Sequence, residues 1–208
     1  MSNNQIVIRL VSKETGVPYK NIKLGKLKES EWPVIINAYE QISGLKVYLN
    51  DLPNINPRTM RRVLRTLEAK HGKMDLVIVD YLQLAGADEA VKIREQEVSQ
   101  VSRGMKIIAK EFDVPVLAAA QLSRAVEIRA DKRPQLSDLR ESGSLEQDAD
   151  VVMFLHHPDE LKPETSELII AKSRNGEIGK IDLRFFGNKM AFQNAASKMF
   201  NPNERSDE

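Results

Sequence analysis

Asp80 ends the apolar run LVIVD. In open α/β sheets ligands sit beyond the carboxyl ends of the strands, and an aspartate there can hold a magnesium-bound water, as it does in nucleotide-hydrolysing enzymes. Its plainer role would be to cap the next turn. Gln121 ends a second apolar run, AAAQ. An amide at that edge can donate to a phosphate and accept from a water, or be an ordinary satisfied loop amide. Lys172 and Arg174 lie two apart in AKSRNG, so on a strand they share a face. An ammonium beside a forked guanidinium can clamp a phosphate; the alternative is a solvated hairpin end.

Residues 124–133 hold four basic residues, Arg124 among them, against two acids, and lead into DLRESGSLEQDAD. A basic, glycine-containing loop at a strand end can follow a nucleic-acid backbone. It lacks the aromatic residues that stack on bases, which argues against sequence reading. An ordinary surface loop would read the same way. The basic helix expected near residues 57–71 carries Arg58, Arg61, Arg62 and Arg65, with Lys70 and, beyond Gly72, Lys73. It reads more simply as a solvated face than as a nucleic-acid track.

Other chemistries are excluded. Without cysteine, disulfides, cysteine-ligated zinc and thiol catalysis all fall away. His71, His156 and His157 form no spaced ligand set. A P-loop needs a glycine, four residues and then Gly-Lys-Ser/Thr. The Gly-Lys pairs at Gly25, Gly72 and Gly179 are followed by Leu27, Met74 and Ile181, so none fits. The dinucleotide fingerprint GxGxxG is absent too.

These residues need a scaffold. The runs at 76–79 and 114–120 are continuous and apolar, as in strands buried on both faces. Between them Val98, Val101, Met105, Ile108 and Phe112 recur at steps of three and four, which predicts a helix and hence a right-handed parallel crossover. Asn56-Pro57 reads as an N-cap and first helical residue, opening a helix with Met60, Val63, Leu64 and Leu67 on its apolar face. An earlier helix is expected over 4–14, ended by Gly16 and Pro18, then short helices around Leu24 to Trp32. Residues 46–51 alternate like a short strand. Three more strands are expected at 151–155, 167–171 and 181–186, the last two joined as a hairpin through an Asn175-Gly176 turn. The fold class is α/β, one layer of mostly parallel sheet with helices and a C-terminal hairpin.

The 208 residues, 23.5 kDa, suit one domain with a real core. With 41% hydrophobic and 29% charged residues, neither disorder nor a membrane protein is expected, and the start carries no signal-peptide pattern. A soluble cytoplasmic protein is the default. The net charge of +1 means that any nucleic-acid binding comes from a local patch.

Taken in order, MDLVIVDYLQL, REQEVSQVSRGMKIIAKEF, VPVLAAAQLSR, DKRPQLSDLRESGSLEQDADVVMF and AKSRNGEIG resemble the DnaB-type replicative DNA helicases. The likeness runs from residue 1 to about 193, and residues 194–208 read as a polar, frayed tail. It implies a RecA-like ATPase domain that uses ATP and Mg2+. In the family this domain forms a hexameric ring on single-stranded DNA and unwinds duplex 5′ to 3′, with a primase and a helicase loader as partners. By resemblance, Asp80 is the Walker B aspartate that organises magnesium. Gln121 is the γ-phosphate sensor. Lys172 and Arg174 are the basic pair that reaches a neighbouring subunit's nucleotide. Arg140, Glu141 and Gly143, with Arg124 nearby, belong to the loop that touches the DNA backbone.

The resemblance also exposes a gap. In the family a P-loop strand, its helix and a second strand ending in a catalytic glutamate come first, and the likeness begins just after that glutamate. The P-loop strand belongs inside the same sheet, so its absence predicts an unpaired apolar edge and little ATP hydrolysis by this chain alone. Three readings follow: part of a helicase motor, a non-catalytic module that joins a helicase ring, and a truncated relic that folds poorly.

Overall fold

The computed structural model describes residues 2–52, 55–87, 93–158, 162 and 164–195. Contacts divide the chain into two units. One comprises residues 1–51, 157–168 and 180–208, the other residues 52–156 and 169–179. The described strands form a two-stranded sheet, β1-β2, and a four-stranded sheet in the order β3-β4-β5-β6, rather than the single layer expected.

The larger unit carries the candidate residues. Helix α4 (Pro57–His71) begins as read, with Asn56 Oδ1 accepting from the Thr59 amide at 2.8 Å and proline at the first turn. Gly72 closes it at φ 85°. Strands β1 (Val77–Val79) and β2 (Val116–Ala118) pair in parallel, with Val77 opposite Val116 and Val79 opposite Ala118. The crossover between them is α5 (Arg94–Glu111). Its stripe Val98, Val101, Met105, Ile108 is buried together with Phe112, Val79, Leu82, Met60 and Leu64. Val101 and Ile108 are 0% and 1% exposed. Removing apolar area on this scale from water is the main stabilising term, about 1.5–3 kcal/mol for each such side chain.

The expectation that these strands are buried on both faces does not hold. Ile78 is 64% and Leu117 45% exposed. Among the described residues the core packs against one face, so alternate side chains of each strand are left uncovered. Strand β3 (Val151–His156) repeats the pattern, burying Val152 and Phe154 while Val151, Met153 and Leu155 stand open.

Two turns of irregular chain also depart from expectation. Residues 124–150 contain α6 (Ala125–Ile128), a 3-10 helix (Leu136–Ser142) and α7 (Gly143–Asp148) instead of one loop. Strand β4 (Thr165–Ser173) reaches β5 (Gly179–Phe186) through residues 174–178, longer than a two-residue Asn-Gly turn.

In the other unit, α1 (Asn3–Thr15) ends at Gly16, whose φ of 71° closes it in the left-handed region. Ser12, fully buried, donates to the Val17 carbonyl at 2.7 Å. Then come α2 (Tyr19–Leu24), a 3-10 turn and α3 (Trp32–Ser43). Residues 46–51 form no strand: alternation alone does not make one where no ladder partner is present. Strand β6 (Ala191–Asn194), unforeseen, pairs antiparallel with β5 and stacks Phe192 on Phe185 with ring centroids 4.5 Å apart. The expected frayed tail lies, from residue 196 on, outside the described residues. Among the described residues no helix is long and apolar enough to cross a membrane.

Gly104 lets α5 approach the start of α4. A Cβ built there would lie 2.5 Å from both Cβ and Cγ of Pro57, in a rigid ring that cannot swing aside. Gly104→Ala is therefore expected to destabilise the protein by about 1–3 kcal/mol through overpacking. A thermal melt checks this, and an unchanged midpoint would contradict it.

Candidate functional site

The β1-β2 pairing fixes one edge. The Ala119 amide donates to the Val79 carbonyl and the Leu82 amide to the Ala119 carbonyl, each at 2.9 Å. These bonds carry the ladder past both strand ends, so Asp80 and Gln121 leave the sheet at the same carboxyl edge. Both are exposed, and the Asp80-Tyr81 peptide is cis.

Gln83 ties this edge together. Its Nε2 donates to the Gln121 carbonyl at 3.2 Å and its Oε1 accepts from the Gln121 amide at 3.1 Å. A side-chain amide thus pairs with a backbone peptide unit as a neighbouring strand would, holding Gln121 in register with Asp80's turn. Sequence reasoning passed over Gln83, because a glutamine in YLQL has no spacing signal. Only the fold brings it to the peptide 38 residues away.

Lys172 and Arg174 form a second group on a different strand. Lys172 is on β4, whereas Arg174 is the first residue beyond it, so strand alternation does not by itself put them on one face. Tertiary contacts do. Lys172 Nζ donates to the carbonyls of Glu146 (2.5 Å) and Ala149 (2.8 Å) at the end of α7, where unsatisfied carbonyls and the helix dipole favour a cation. Arg174 pairs with Asp150, Nη1 to Oδ1 at 3.0 Å. Asp150 also takes Lys106 of α5. The hydrogen bond from Lys106 holds the Asp150 carboxyl below the usual carboxylate range; burial opposes this, and the nearby positive charges assist.

The stretch carrying the DNA-contact candidates is braced rather than loose. Arg124, exposed, precedes α6; Arg140 and Glu141 lie in the 3-10 helix, and Gly143 opens α7. Asp138 is buried and accepts from Arg129 through both Nη1 (2.9 Å) and Nη2, and from the Gln135 amide at 2.7 Å. Arg129 Nη2 also donates to the Arg133 carbonyl at 2.7 Å. Arg129, counted among the basic residues of a DNA-facing loop, is thus spent on internal structure. The bidentate bond from Arg129 lowers the Asp138 pKa, with burial opposing it. Fold also neutralises part of the basic helix: Arg61 and Arg65 meet Glu111, and Lys73 meets Asp113.

A family model described as the DnaB-like helicase C-terminal domain matches residues 1–194. The chain belongs to the DnaB-like helicase C-terminal domain family. The replicative DNA helicase DnaB of Geobacillus stearothermophilus is 40% identical over 200 residues, covering 93% of this chain and 44% of that protein. The replicative DNA helicase DnaC of Bacillus subtilis is 42% identical over 191 residues, covering 89% and 42%. The chain therefore spans less than half the length of these relatives. A solved ATPase domain superposes with a TM-score of 0.88 at 36% identity, covering 93% of this chain and 71% of that one. A DnaB-like replicative helicase, solved with attention to its interactions with primase, gives 0.87 at 36% identity, covering 92% and 49%. The α/β architecture is that of the RecA-like ATPase domain of this family.

Because the Asp138 pKa is lower folded than unfolded, its contribution is fully present above the ordinary carboxylate range, about pH 4. It is lost as pH falls through the depressed folded value. Asp138→Ala should cost about 1–3 kcal/mol at neutral pH, the range for stranding a buried partner. It should also flatten the acid limb of the stability curve. Chemical denaturation across pH 2–7 measures both, and parallel acid limbs for the two proteins would contradict the assignment.

Proposed function

We propose that this chain is the C-terminal portion of the motor domain of a replicative DNA helicase, which unwinds duplex DNA 5′ to 3′ as an ATP-driven ring on single-stranded DNA in the cytoplasm. The observation that carries the reading is the joint edge of Asp80 and Gln121, locked by Gln83, within a chain of the DnaB-like family.

An exposed carboxylate at a strand end suits Mg2+, which keeps several waters and takes few protein ligands. Asp80 would hold that ion through water. Bound there, the metal would neutralise charge on the transferring phosphate. Gln121 donates to the γ-phosphate or its water from a fixed backbone. Lys172 and Arg174 act on the nucleotide of a neighbouring subunit, where an arginine of this kind is worth about a thousandfold or more in rate. Residues 124–143, with Arg124, Arg140, Glu141 and Gly143, face the phosphate backbone of the strand. Residues 1–193 make up this partial ATPase domain and 194–208 a tail, with a primase, a loader and further copies of the motor as partners.

A second reading, resting on the exposed Arg174 side chain, makes the chain a non-catalytic module that joins a helicase ring and lends Lys172 and Arg174 to its neighbour.

The test adds the preceding, P-loop-bearing segment of a relative's ATPase domain to this chain and follows ATP turnover. The motor reading expects turnover only in the mixture, reduced at least about a thousandfold by Arg174→Ala. No turnover in the mixture counts against it. Co-purification with an intact helicase, without turnover in the two-fragment mixture, would favour the module.

A further inference from the structure

We infer that Asp150 is a positioning residue for the Lys172-Arg174 pair, holding Arg174 at a set angle while leaving its charge available to a phosphate. The inference rests on the motor reading above for what the pair acts on, but its geometry lies wholly within this chain.

Arg174 is tied to Asp150 at both ends. Its amide donates to the Asp150 carbonyl at 2.9 Å, and its guanidinium meets the carboxylate at 3.0 Å. An arginine just beyond a strand otherwise samples many rotamers, and a two-point attachment removes much of that freedom before any ligand arrives. Asp150 itself is steadied by Lys106 from α5, so two separate segments converge on one carboxylate.

Charge and donor counts separate positioning from sequestration. Lys106 and Arg174 both pair with Asp150, and Lys172 sits beside them on the carbonyls of Glu146 and Ala149, so the Asp150 carboxylate does not cancel the positive charge of the pair. A guanidinium has five N–H donors, and Arg174 meets Asp150 as an ion pair through Nη1 alone. An ammonium has three, and Lys172 spends two on the α7 carbonyls. The Arg174 side chain is 55% exposed, so it stays accessible from solvent. A latch meant to silence the pair would neutralise it; this arrangement aims it.

The same attachment links the pair to the rest of its unit. The carbonyls that hold Lys172 belong to the end of α7, and Asp148 on that helix accepts from Ser102 of α5 at 2.6 Å. Both cations therefore take their position from the segment 146–150, not from the chain that follows β4.

The test has two parts. In the chain alone, nitrogen-15 relaxation of the Arg174 Nε–H reports side-chain order. Wild type should be ordered, and Asp150→Asn should become mobile while the backbone amides of β1 and β2 stay unchanged. Equal mobility in both proteins overturns the inference. In the two-fragment mixture, Asp150→Asn should lower kcat about 10- to 100-fold with KM for ATP little changed, the pattern of a misplaced transition-state group. Asp150→Glu, which keeps the charge, should recover part of the loss. An unchanged kcat in Asp150→Asn also overturns it. A wild-type mixture without turnover would instead defeat the motor reading, and the relaxation measurement would still decide the position of Arg174.

Discussion

The packing of α5 under the parallel pair β1-β2 is the constraint on which the candidate chemistry depends. Val101 and Ile108 lose essentially all contact with water there, and the same helix brings Lys106 to Asp150 and Ser102 to Asp148. Hydrophobic burial sets the height and rotation of the helix. The polar contacts along its flank then inherit that placement. A shift of α5 would move the sheet edge bearing Asp80 and Gln121 together with the anchor of Arg174.

Gln121, Lys172 and Arg174 are each held by a partner that carries no chemistry of its own. Gln83 supplies a peptide-like amide to Gln121, Asp150 a carboxylate to Arg174, the end of α7 two carbonyls to Lys172. Asp138 plays the same part for the turn built on Arg129. Such bracing matters for phosphate chemistry, because catalysis there comes mostly from placing charges correctly in advance. Flexible lysines and arginines in water would give up that advantage as entropy when they bind.

Among the described residues, Ile78 and Leu117 on one sheet and Val151, Met153 and Leu155 on the other stand open, opposite the faces packed into the core. Strong burial on the α5 side shows that the described part still has a core of its own.

Local signals were enough to read the helices α1, α4 and α5, the N-cap at Asn56, the two parallel strands and the family-bearing motifs. Caps and helical stripes depend on residues within four positions of one another, and continuous apolar runs announce strands, though not how far they are buried, without any partner being known. The tertiary structure alone decided the rest. Residues 46–51 had the alternation of a strand but no ladder to join. Residues 124–150 looked like a loop until the buried Arg129-Asp138 pair fixed their turns. Which face of β1 and β2 stays open, and why Gln83 and Asp150 matter, depend on contacts between segments far apart in sequence. Those pairings are selected by the packed core, and no short window of sequence contains both partners.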